Sequence, residues 1–187
     1  ASVSSYRISF NSTRVTVESN TAGENGGGMF SSLGADVLVE SGAALIVQNN
    51  TATMHGAGAF LAGRGTSLTV VDSECQLLVI NNTVTFSDVN ASPLFAKRQS
   101  DDSNAAYTTS GGGIAVAPGA SAVIMSPSLF RGNRVDHGAG GAIGFFGTKE
   151  DNGAAACVSV DLEINGDKTA ASANGINGTI RAYTIPG

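Results

Sequence analysis

The fourteen residues Phe130-Arg131-Gly132-Asn133-Arg134-Val135-Asp136-His137-Gly138-Ala139-Gly140-Gly141-Ala142-Ile143 decide the fold, because a looser form of them recurs along the chain. In each copy an apolar residue stands three places before an Asn, and in three of them a Gly stands eight places after it. Val17-Glu18-Ser19-Asn20 leads to Gly28, Val47-Gln48-Asn49-Asn50 leads to Gly58, and Phe130-Arg131-Gly132-Asn133 leads to Gly141. Val79-Ile80-Asn81-Asn82 finds its Gly only at Gly113, 31 residues on. Leu162-Glu163-Ile164-Asn165 is a degraded fifth copy, its Gly replaced by Ala173 beside Asn174-Gly175. The Asn-to-Asn spacings are 30, 32, 51 and 32 residues; removing 23 from the long interval restores the offset of eight and leaves a coil of 28. A period of this length is the signature of a stacked repeat.

Working outward from the landmarks, each Gly cluster is followed by a turn and a short alternating run. Gly34-Ala35-Asp36 precedes Val37-Leu38-Val39, and Gly65-Thr66-Ser67 precedes Leu68-Thr69-Val70. Gly119-Ala120-Ser121 precedes Val123-Ile124-Met125, and the 154–156 stretch precedes Val158-Ser159-Val160. Runs of three to five residues cannot bury an apolar face alone, whereas coils stacked about 4.8 Å apart can. The pattern therefore predicts an all-β protein, a parallel β-helix (β-solenoid) of about five coils. Residues 1–187 form one domain, with a protruding loop insertion over 83–110. In this arrangement Asn20, Asn50, Asn82, Asn133 and Asn165 form a ladder of stacked amides at one corner, each bonding to the coil above and below. Gly28, Gly58, Gly113 and Gly141 serve as turn glycines, where the backbone needs positive φ or a side chain would strike the next coil.

Composition narrows the function. With 13% charged residues, a net charge of −5 and a pI near 4.8, the chain lacks the basic face a nucleic-acid partner requires. No apolar run approaches the 20 residues of a transmembrane helix. The chain opens at Ala1 without an initiator Met, as expected of a piece cut from a longer precursor. Asn-x-Ser/Thr sequons at Asn11, Asn49, Asn81, Asn90 and Asn177 suggest N-glycosylation and a secreted or surface location.

The Asn and Gly motifs together resemble the repeats of chlamydial polymorphic outer membrane proteins, which carry Phe-x-x-Asn and Gly-Gly-Ala-(Ile/Leu/Val). The fourth copy has both in Phe130-Arg131-Gly132-Asn133 and Gly140-Gly141-Ala142-Ile143, and the likeness spans roughly Val15 to Gly178. The other copies put Val or Leu in place of Phe. The resemblance implies a right-handed parallel β-helix of the pectin-lyase-like kind and a place on surface-exposed adhesins.

Residues that could carry chemistry also admit structural roles. Asp72 with Glu74, sharing one strand face, and Asp101 with Asp102 are the candidate carboxylate pairs for a polysaccharide-acting enzyme. No acid column recurs at the coil period, and Arg64 and Arg131 have no acids at matching offsets. His55 and His137 fall near one corner without a third metal ligand. Cys75 and Cys157 fall two coils apart, too far for a disulfide, and read as reduced packing residues. Phe145-Phe146 is a contact patch or a cap over the core, and Lys97-Arg98 a solvated pair. Thr16, Thr51, Thr69 and Thr83 share no consistent offset, against an ice-binding array.

The expectation is a non-catalytic extracellular module: adhesin passenger, wall layer or glycosylated fibre subunit, with no cofactor or metal. Its partners would be glycans, surface polysaccharide, or neighbouring coils through end-to-end self-assembly. A lyase, hydrolase or epimerase acting on polysaccharide is the alternative.

Overall fold

The computed structural model describes residues 6–85, 109–117, 119–136, 138–139, 141–145, 154–159, 162–165 and 178–183, with side chains over 6–85, 111–117, 119–136 and 141–144. The described residues are all-β, without a helix. In chain order the first pass holds β1 (Arg7–Asn11), β2 (Arg14–Glu18), β3 (Thr21–Ala22) and β4 (Met29–Ser32). The second holds β5 (Asp36–Glu40), β6 (Ala44–Gln48), β7 (Thr51–Ala52) and β8 (Ala59–Ala62). The third holds β9 (Ser67–Val70), β10 (Gln76–Ile80), β11 (Thr83–Val84), β12 (Thr109–Ser110) and β13 (Ile114–Val116). The fourth holds β14 (Ser121–Ile124), β15 (Ser128–Arg131), β16 (Arg134–Val135), β17 (Gly138–Ala139) and β18 (Ile143–Phe145). Beyond it lie β19 (Ala154–Ser159), β20 (Leu162–Asn165) and β21 (Gly178–Tyr183).

Every strand pairs in parallel with its counterpart one pass away. Sheet A is ordered β1-β5-β9-β14-β19-β21 and sheet B β2-β6-β10-β15-β20. Sheet C contains β3-β7-β11-β16, sheet D β12-β17 and sheet E β4-β8-β13-β18. The chain thus runs from A to B to C to E and back to A, pass after pass. Backbone groups of each short strand find partners on the neighbouring passes, which such strands could not supply alone.

The side chains alternate accordingly. Val37 and Val39 in β5, Leu68 and Val70 in β9, and Leu77 and Val79 in β10 point into one shared core with Leu61, Ile114, Ile124 and Phe130. Columns run through it: Val17, Val47, Val79 and Phe130 stand opposite one another in sheet B, the last three of them 2% exposed or less. Complete burial of one such side chain stabilises by roughly 1.5–3 kcal/mol.

Register carries through the long third pass. Thr83 and Val84 pair with Thr51 and Ala52, and Ile114 pairs with Ala59, which sets Gly113 opposite Gly58. The extra residues of that pass therefore enter between β11 and β13. Residues 86–108, with Asn90, Lys97-Arg98 and Asp101-Asp102, lie outside the described residues, as do His137, Phe146 and Asn177.

Candidate functional site

The residues singled out by the repeat meet at the corner between sheets B and C. Asn20 backbone N–H and Nδ2 both donate to Asn50 Oδ1, each at 3.0 Å. Asn50 repeats this toward Asn82 Oδ1 at 3.0 Å, and Asn82 toward Asn133 Oδ1 at 3.1 and 2.8 Å. The Nδ2 groups also reach back to the previous pass: Asn50 to the Val17 carbonyl (3.0 Å), Asn82 to Val47 (2.9 Å) and Asn133 to Val79 (2.8 Å). One internal amide therefore joins three passes. Asn50, Asn82 and Asn133 are buried and Asn20 is exposed.

The register corrects the fifth rung. β20 sets Ile164 opposite Phe130 and Asn165 opposite Arg131, two positions short of the ladder. The residue of this strand in register with Phe130 is Ile164, not Leu162.

The offset of eight also has a physical cause. A Cβ on Gly28 would lie 2.8 Å from Asn50 Nδ2, and one on Gly58 would lie 2.4 Å from the Gly113 carbonyl oxygen and 3.2 Å from Asn82 Cγ. A Cβ on Gly113 would lie 2.5 Å from the Ala142 carbonyl oxygen and 3.3 Å from Asn133 Cγ. The next pass's ladder amide fills the space a side chain would need. Positive φ falls two residues earlier, at Gly26, Gly56 and Gly111 (φ 67°, 59° and 67°), so the two roles given to these glycines belong to different columns. The fourth pass corrects the expected column: Ile114 pairs with Ile143, so Ala142 stands opposite Gly113 and Gly141 opposite Gly112, one residue short, with the buried Gly141 accepting the Gly113 N–H at 2.8 Å.

Two further columns flank the ladder, and the sequence reading missed both. The residue before each rung is left-handed: Ser19, Asn49, Asn81 and Gly132 have φ of 58°, 55°, 53° and 65°. Asn tolerates that conformation better than most residues. The residue after three of the rungs is Thr: Thr21 pairs with Thr51 and Thr51 with Thr83, which corrects the expectation of unaligned threonines. The signal was available, since each of these follows a ladder Asn directly. The column is one residue wide and gives way to Arg134 on the fourth pass.

These columns explain two of the five sequons. Asn49-Asn50-Thr51 and Asn81-Asn82-Thr83 each combine a left-handed corner, a ladder rung and a β-branched strand residue. Asn11, Asn49 and Asn81 are exposed.

The acids among the described residues are committed elsewhere. Asp72 and Glu74 lie in the turn between β9 and β10, not along one strand face. Asp72 adopts φ 65°, ends the strand, and accepts the Ser41 N–H at 3.0 Å. A hydrogen bond from the Cys75 thiol, helped by backbone donors, holds its carboxyl below the usual range. Cys75 is a buried free thiol whose pKa is pushed up, first by burial and then by its bond to Asp72. Cys75 stands directly before β10 on the third pass, and Cys157 lies in β19, two passes further along the stack. Asp36 accepts from Arg7 Nε at 2.9 Å and from Ser67 Oγ, tying three strands of sheet A together on the outside, and Ser9 Oγ donates to Glu40. Arg64 and Arg131 are exposed.

His55 stacks on Phe60 (centroids 6.0 Å apart, planes at 18°), which in turn meets Phe30 at 5.4 Å. Burial lowers its pKa to about 4, so it is neutral at pH 7. Among the described residues no three His, Cys, Asp or Glu side chains are grouped to hold a metal, and no helix is long and apolar enough to cross a membrane. No family model, curated protein or solved structure matches the chain.

Proposed function

We propose that the chain is a non-catalytic structural or adhesive module: a right-handed parallel β-helix of about five coils. It is exported and works as part of a cell-surface adhesin, a wall layer or a glycosylated fibre. The observation that carries this reading is the Asn–Gly column. The polar residues that the repeat keeps from pass to pass are spent on bonding one pass to the next, with Asn82 wholly buried and making four such side-chain bonds. An enzyme built on stacked passes would instead bring acids together on an open face. Here Asp36, Glu40 and Asp72 accept hydrogen bonds that join strands or hold a turn. Display outside the cell is supported by the motif resemblance and by the exposed Asn11, Asn49 and Asn81.

The deciding experiment exposes the chain to pectins, alginates and β-glucans, with and without Ca²⁺. Unsaturated uronate and new reducing ends are measured alongside retention of the protein on each polymer. We expect no product, and saturable retention on wall or surface material. Catalytic product from any polymer overturns the proposal in favour of the polysaccharide-acting alternative.

A further inference from the structure

We draw no further inference here: the strongest candidate, the outward-facing apolar column of Ile46, Leu78 and Leu129 on sheet B, is a sheet face with nothing among the described residues to show what covers it.

Discussion

Replacing Asn82 by Ala tests the internal ladder most directly. The Asn82 side chain is wholly buried, its Oδ1 accepting the Asn50 N–H and Nδ2 at 3.0 Å each. Ala leaves that backbone N–H and one amide hydrogen of Asn50 without an acceptor. A buried donor left unpaired costs about 1–3 kcal/mol, so the pair should lower stability by about 2–6 kcal/mol. Asn20→Ala is the matched control. It removes a bond to Asn50 Oδ1, but that oxygen keeps the Asn20 N–H, and the site is exposed. Its effect should be that of one ordinary hydrogen bond, about 0.5–1.5 kcal/mol. Urea unfolding followed by circular dichroism compares the two midpoints at common slope, and hydrogen exchange should show the Asn50 amide losing protection in the Asn82 variant alone. Equal losses in the two variants would refute the orphaned-donor argument, since they would mean that water or a small shift serves Asn50 as well as Asn82 does.

Gly58→Ala should cost at least about 3 kcal/mol, because the new methyl would lie 2.4 Å from a backbone carbonyl and the passes must separate to admit it. Gly23→Ala, with nothing within 4 Å, should stay within about 0.5 kcal/mol, and thermal melts of both variants check the contrast. Stability should also fall with acid through His55. Its folded pKa of about 4 lies below the ordinary 6.5, so between those values only the unfolded chain binds the proton. The loss begins as pH drops through 6.5, levels off below 4, and reaches at most about 3 kcal/mol; a urea series against pH should flatten in His55→Gln. In a Cys157→Ser background, Cys75 should resist thiol reagents at pH 8 until the chain is unfolded, and rapid native labelling would contradict its burial. Intact mass of native material before and after deglycosylation should drop by at least one N-glycan.

The repeat made sheets, register and ladder legible because burial at a corner imposes residue identity. Asn, with an acceptor and two donors on a short stem, fits a site that must bond to both neighbours, and Gly is forced wherever that amide overlies the next backbone. Legibility failed where two local patterns compete. Leu162 and Ile164 alternate in one strand, and only pairing with Phe130 picks out Ile164. Val70-Val71-Asp72-Ser73-Glu74 resembles a continuing strand until the left-handed Asp72 ends it. The left-handed corner and the Thr column stand at constant offsets from the ladder Asn, but the first coincides with sequons and the second is diluted by threonines elsewhere, such as Thr16 and Thr69. The burial of His55 depends on packing that its local sequence does not record, although its ring partner Phe60 stands only five residues on.

Asn82 and Asn133, 51 residues apart, meet at 2.8 Å, no farther than rungs separated by 30 or 32. The stacking is thus indifferent to contour length between β11 and β13. Natural variation or a protein engineer can lengthen, shorten or exchange the peptide at that junction while the flanking passes keep their bonding. A solenoid otherwise bound to strict periodicity there has a socket for foreign sequence.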